Sequence, residues 1–324
     1  MPQPMAPGFA RDQPGTDADF PVSLRPDAAG EPLVRALERI EAAREALDSL
    51  VLRHGAVLLR GLLPPETAAF DAALRALAPD LKPYVEGQSQ RSRVEGRIYT
   101  STEYPADQEI VLHNELSYTH APPARLFFFC LVAPDSGGET PIVDCRRLHR
   151  VLDPAVRGPL VDRGVRYVKN MHGGSGFGKS WQDHFETGDR EVVERYLREG
   201  GAAYRWNDDG SLWTSQVRPA EREHPDTGET VWFNQADLWH WSALGTRGAS
   251  LLKLLGEDRL PTNACYGNGQ PIPVEHMDAT RETRRREAVV FAWQAGDLLV
   301  LDNHLVAHGR RPFTGPRRIL VAMA

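Results

Sequence analysis

The chain has 324 residues, 41% of them hydrophobic, and a formal net charge of -6. That length can bury one large core. The acidic balance, with short arginine clusters interspersed with acids, excludes a general phosphate-neutralising surface and so argues against nucleic acid as a partner. No stretch reaches the roughly 18 apolar residues of a membrane span, and the N-terminus lacks the apolar core of a secretion signal, which predicts a cytoplasmic protein that engages no membrane.

Residues 1 to 30 are rich in Pro, Gly, Asp and Ala with little apolar periodicity, which predicts a mobile N-terminal arm outside the core. From Glu31 to Leu50 the apolar residues Leu33, Leu37, Ile40 and Leu47 fall near helical spacing, and His54-Gly55 stops the pattern. The run AVLLRGL at 56–62 reads as a buried strand leading into a second helix at about 65–78. Beyond residue 95 the texture changes to short strands separated by Gly, Pro, Asp and Asn turns: RIYTSTEY, RLFFFCLVA, VRYVKN, TVWFNQ and DLLVLDN. Such spacing predicts a β-sandwich or jelly roll. Helical patterns in DCRRLHRVL, SWQDHFETG and REVVERYLREG predict a helical insertion at about 145–260 between sheet strands. Because its flanks carry parts of one proposed site, residues 31–324 are read as a single domain. The three cysteines, Cys130, Cys145 and Cys265, are odd in number and widely spaced, which predicts reduced, structural thiols.

Candidate chemistry starts at His113-Asn114-Glu115. On a strand, residues two apart share a face, so His113 and Glu115 can reach one ion while Asn114 points away. His308, after the apolar strand LLVLDN, would supply a third ligand. Two histidines and one carboxylate are the minimal set that holds non-haem iron(II) while leaving positions open for a co-substrate and dioxygen. A lone histidine is more often a satisfied core or surface group, but three features strengthen the set. Arg318 lies in RRILVAM, an apolar strand where a buried cation needs an anionic partner, and a guanidinium suits the distal carboxylate of 2-oxoglutarate. In GGET a Gly-Gly turn delivers the Thr140 hydroxyl toward the same carboxylate. The third feature is the run HGRRPFTGPRRILVAMA.

With that run, YTSTEYPADQEIVLHNELSY, RLFFFCLVAPDSGGETPIVD and VWFNQADLWH, the chain resembles the taurine dioxygenase-like (TauD/TfdA) family of iron(II)/2-oxoglutarate oxygenases. Within it, the likeness is to the syringomycin-type aspartyl-hydroxylase branch. The resemblance spans roughly residues 50–324. It implies an α+β fold: a double-stranded β-helix (jelly roll, clavaminate synthase-like) with flanking helices. By the same resemblance His113, Glu115 and His308 match the iron ligands, and Thr140 and Arg318 match the 2-oxoglutarate binders. Arg317 competes for the arginine role; strand alternation lets only one of the two face the site, and the match selects Arg318. The wider family carries aspartate at the carboxylate position, and Glu115 is the variant found in several amino-acid oxygenases. Halogenases on this scaffold have a small residue there, so Glu115 argues against halogenation.

The resemblance implies that 2-oxoglutarate and O2 are consumed at Fe(II), giving succinate and CO2, while a C–H bond of an amino acid, free or carrier-bound, is hydroxylated. Thr102 and Glu103, in the polar segment after Tyr99, and Asn234 and Gln235, after an aromatic strand, are substrate-contact candidates, as is Arg310 beside His308. Each reads equally as a turn or sheet hydrogen-bonding residue, and Arg91 and Arg93 read rather as a solvated loop. Trp232, Phe233, Trp239 and Trp241 read as core and pocket wall. The segment GGSGFGK at 173–179 lacks the spacing of a phosphate-binding loop and reads as a lid or turn. His304 is the second choice to His308 as a ligand. Three other readings remain open: a catabolic dioxygenase of a small sulfonate or carboxylate, a non-catalytic cupin-like metal module, and a hydrolytic zinc enzyme. The sequence fixes neither substrate nor oligomeric state.

Overall fold

The computed structural model describes residues 6–12, 20–28, 30–82, 86, 92–101, 104–176 and 178–324. Its centre is an eight-stranded sheet. In spatial order the strands are Phe9–Arg11, Val22–Pro26, Ala56–Leu59, Leu298–Asp302, Arg125–Val132, Arg318–Met323, Ile98–Thr100 and Arg93–Glu95. All neighbours run antiparallel except Val22–Pro26 and Ala56–Leu59, which are parallel.

The central strands read as continuous apolar runs because both faces of the sheet are covered. Phe127 and Phe129 face one way, with Val57, Leu59, Leu298, Val300, Leu320 and Ala322, against the helices Leu33–His54 and Thr67–Leu77. Phe129 stacks on Phe70 of the second helix at 5.1 Å. The first helix buries Ala36, Ile40, Ala43, Leu47, Leu50 and Val51 at three- and four-residue spacing, and ends at Gly55, whose φ of 83° suits a residue without a Cβ. Leu126, Phe128 and Cys130 face the opposite way, with Leu58, Leu299, Leu301, Ile319 and Val321. They pack on Leu112, Ile142, Val143, Val306 and Ala307 of a second, three-stranded sheet, Ile110–His113, Val306–Arg310 and Ile142–Asp144. Two facing sheets of this kind form the expected jelly roll, open rather than closed into a barrel.

Two expectations change. The N-terminal segment does not stand apart: Phe9, Val22 and Leu24 are buried and its two strands extend the main sheet. Apolar periodicity missed it because strands of three and five residues are too short to show one. The insertion is not only helical. Between strands Ile142–Asp144 and Leu298–Asp302 it contains a four-stranded sheet, Ala203–Trp206, Leu212–Arg218, Val165–Met171 and Thr262–Tyr266, followed by the helix Val274–Glu287. It therefore extends past residue 260. Among the described residues no helix is long and apolar enough to cross a membrane. All three cysteines are buried and unbridged, and burial pushes the Cys145 thiol up to about 12.

Candidate metal centre

The smaller sheet builds the centre. His113 ends strand Ile110–His113 and is the cross-strand partner of His308 in Val306–Arg310, so their rings stand 4.6 Å apart. At Gly309, between His308 and Arg310, an added Cβ would meet the Ile110 carbonyl oxygen at 2.6 Å; the strands approach too closely there for any other residue. Glu115 does not sit on the strand. It opens the turn that follows, where Leu116 adopts a φ of 53°. Its carboxylate still comes within 3.9 Å of His113 Nε2 and 3.8 Å of His308 Nε2.

Proton placement decides whether such a cluster can hold a metal. His113 Nδ1 lies 2.8 Å from the Val111 carbonyl oxygen, which only accepts, so Nδ1 carries the hydrogen and Nε2 turns its lone pair toward Glu115 and His308. A second cluster, His224, Asp302 and His304, also gathers two histidines and one carboxylate within reach of one ion and is buried throughout. There the protons are reversed. His224 Nδ1 accepts the backbone N–H groups of Asp226 and Thr227, which forces its hydrogen onto Nε2, where it donates to Asp302 at 3.1 Å. His304 Nε2 accepts from the Arg222 guanidinium, which puts its hydrogen on Nδ1. Neither ring offers a lone pair to an ion between them. Burial pushes His304 down to about 4, so it is neutral at pH 7. The first cluster has a lone pair to offer a divalent iron; in the second the hydrogen bonds turn the ring hydrogens of His224 and His304 to where a ligand lone pair would be needed.

A cavity beside His113 and His308 is lined by Ser101, Ile110, Phe128, Thr140, Gly309, Arg310 and Arg317. Gly137 and Gly138 both have positive φ, and the turn they make carries the chain to Thr140, which is buried. Thr140 Oγ1 accepts from the Trp293 indole at 3.0 Å, which leaves its own hydrogen free to donate elsewhere. Phe128 packs its ring 5.0 Å from that of His308.

The arginine expectation is corrected. Arg318 is exposed; Arg317 lines the cavity. The reason is parity. Ile319 and Val321 face the space between the sheets, and Arg317, just ahead of the strand and two residues before Ile319, lines the cavity on that side. Arg317 donates Nε to the Gly138 carbonyl oxygen at 2.9 Å and Nη1 to Ser101 Oγ at 3.4 Å, and forms no ion pair among the described residues. Burial, reinforced by the nearby Arg310 charge, pushes its guanidinium down to about 10, still cationic at neutral pH.

The substrate-contact candidates separate. Arg310 lines the cavity, but its Nη atoms donate to the carbonyl oxygens of Tyr104, Pro105 and Gln108. It tethers that loop. Asn234 and Gln235 are buried and engaged internally, Asn234 Nδ2 with the Ala220 carbonyl and Gln235 Nε2 with that of Asn114. Neither lines the cavity. Thr102, Glu103 and Arg91 lie outside the described residues, as does the side chain of Arg93. Trp232, Phe233 and Trp239 belong to the core, Trp241 is only half-buried, and neither these four nor the glycine-rich turn after Met171 line the cavity. Sequence reasoning missed Phe128 and Trp293. Phe128 was hidden in a uniformly apolar strand, and Trp293 lies in an irregular segment with no periodic signal.

Residues 19–323 match the family described as taurine catabolism dioxygenase TauD, TfdA family. The dapdiamide synthesis protein DdaC of Enterobacter agglomerans is 39% identical over 279 residues, covering 86% of this chain and 84% of that protein. A clavaminate synthase-like protein of Arabidopsis thaliana is 32% identical over an alignment of 322 residues, covering 94% and 93%. Among solved structures, PvcB from Pseudomonas aeruginosa matches with a TM-score of 0.52 at 15% identity, covering 97% of this chain and 89% of that one. An asparagine oxygenase solved with Fe(II), 2S,3S-3-hydroxyasparagine and succinate matches at 0.54 and 13%, covering 90% and 83%. At those identities the two structures speak to the fold alone. The chain belongs to the TauD/TfdA family and is a non-haem dioxygenase that uses iron(II), 2-oxoglutarate and O2.

Proposed function

We propose that this enzyme hydroxylates an unactivated C–H bond of an amino acid, free or carrier-bound, in natural-product biosynthesis. The carrying observation is the pairing of the two-histidine, one-glutamate cluster with a half-buried guanidinium, Arg317, that has no carboxylate partner among the described residues and lines the same cavity. His113, Glu115 and His308 would hold the iron. Iron with 2-oxoglutarate and dioxygen supplies the oxidising power, with succinate and CO2 as co-products. Arg317 neutralises the distal carboxylate of 2-oxoglutarate, and the Thr140 hydroxyl, oriented by Trp293, donates to the same group. Phe128 and Ile110 line the cavity and would shield a metal held by His113, Glu115 and His308 from water. The amino-acid reading draws support from the likeness to DdaC, which is named for dapdiamide synthesis. The three buried, unbridged thiols agree with a cytoplasmic setting.

The test is anaerobic titration of the apo-protein with Fe(II) and then 2-oxoglutarate, following the weak visible charge-transfer band of the chelated co-substrate. The band is expected to appear, and to shift when the correct amino acid is added. A shift with small sulfonates instead would favour a catabolic dioxygenase. Bound metal without the band would remove the assignment.

A further inference from the structure

Glu115 hangs from a turn, and a turn by itself does not hold a carboxylate in register with histidines on two strands. What holds it is Asn303. This residue is fully buried in the bend between strand Leu298–Asp302 and strand Val306–Arg310, the strand that carries His308. Its Oδ1 accepts the backbone N–H of Glu115 at 2.7 Å, and its Nδ2 donates to the Glu115 carbonyl oxygen at 2.8 Å and to that of Pro123 at 2.9 Å. The main chain of the same residue is used as well. Its carbonyl accepts from Asn114 Nδ2 at 2.7 Å and its N–H donates to the Ala124 carbonyl. The Asn114 carbonyl in turn accepts from Gln235 Nε2.

The geometry points to Asn303 as the positioning residue for the metal carboxylate: its carboxamide brackets both backbone polar groups of Glu115 and locks them to the hairpin of His308. This rests on the metal-site reading above. Only a carboxamide satisfies the arrangement. A flipped amide would set an oxygen against two carbonyl oxygens and a nitrogen against an N–H. An aspartate would face the same two carbonyls with negative charge, and an apolar residue would leave one N–H and two carbonyls buried without partners. The bend is itself fixed from its other side. Asp302 Oδ1 accepts the N–H groups of His304 and Leu305 while Asp302 Oδ2 accepts from His224, so displacement of Glu115 cannot be absorbed by moving the hairpin.

The experiment is a double-mutant cycle on the full chain, read as Fe(II) affinity under anaerobic conditions and as the visible spectrum of the Co(II)-loaded protein. Substitutions that disturb the groups orienting metal ligands typically cost about 10–100-fold in metal affinity. Asn303→Asp is expected to weaken Fe(II) by that factor and to alter the Co(II) spectrum. In a Glu115→Ala background the same change should have almost no further effect, because the carboxylate it positions is gone. Additive effects would overturn the inference, as would Fe(II) affinity in Asn303→Asp equal to that of the wild type. If Glu115→Ala alone leaves Fe(II) affinity unchanged, the metal-site reading has failed instead. Asn303→Ser, which introduces no charge, replaces the aspartate should that variant not fold. In the wild type, amide exchange at Glu115 should proceed only through global unfolding, and exchange through local opening would also overturn the inference.

Discussion

Replacing Arg317 with Met tests the corrected arginine assignment, because it keeps an apolar stem and removes only the guanidinium. Hydrogen bonds to a charged group contribute about 1.5–3 kcal/mol net, which at about 1.4 kcal/mol per factor of ten corresponds to a loss of roughly 10- to 150-fold in 2-oxoglutarate affinity. The neighbouring Arg318→Met serves as an internal control. Arg318 is exposed, and surface substitutions of that kind change free energies by about 0.5 kcal/mol or less, a shift of roughly twofold. Iron affinity should stay near wild type in both, since the Arg317 hydrogen bonds go to Gly138 and Ser101 and not to His113, Glu115 or His308. The assay is anaerobic titration of 2-oxoglutarate into the Fe(II)-loaded protein, read by the charge-transfer band. The reasoning is refuted if Arg318→Met weakens the co-substrate more than Arg317→Met does. It is refuted equally if Arg317→Met loses iron together with 2-oxoglutarate.

His113→Ala and His308→Ala should each abolish Fe(II) binding at stoichiometric metal, measured by anaerobic equilibrium dialysis, whereas His304→Gln should leave it intact. Trp293→Phe removes the indole donor that orients Thr140, and should raise the 2-oxoglutarate dissociation constant by roughly 2- to 10-fold, the equivalent of about 0.5–1.5 kcal/mol. Arg284 and Asp237 form a fully buried ion pair at 3.2 Å, and Arg284 also donates to the Leu112 and Asn234 carbonyls. Arg284→Met strands the carboxylate and should cost about 3–5 kcal/mol in urea denaturation. The folded pKa of His304 is depressed from its ordinary 6.5 to about 4, so the stability linked to its neutral form is present above pH 6.5 and lost as pH falls toward 4. His304→Gln should therefore show a flatter denaturation midpoint across that window than the wild type, and equal slopes would contradict the burial argument.

Much of the fold was legible because it rests on periodicity and punctuation. The spacing of Leu33, Leu37, Ile40 and Leu47 marks the first helix, Gly55 marks its end, and the doubly apolar runs around Phe127 and Val300 mark strands covered on both faces. What escaped depends on contacts distant in sequence. The strand Val22–Pro26 is short, and it is a strand because Ala56–Leu59 lies alongside it. The four-stranded sheet within the insertion is likewise assembled from segments as far apart as Val165–Met171 and Thr262–Tyr266.

At the site, residue type and spacing singled out His113, Glu115 and His308, but two further steps needed coordinates. The first is parity. Arg317 and Arg318 are chemically identical, and only the face shared with Ile319 and Val321 separates the one at the cavity from the one in solvent. The second is the proton. His224, Asp302 and His304 likewise bring two histidines and a carboxylate close enough to share one ion. Two backbone N–H groups aimed at His224 Nδ1, and one carbonyl oxygen aimed at His113 Nδ1, give the rings opposite tautomers and thereby opposite capacities for a cation. A histidine becomes a ligand through what its other nitrogen touches, and that partner is main chain, to which any residue contributes. Residue type and spacing point to the first cluster, but what disqualifies the second is set by main-chain groups around His224, to which the motif gives no clue.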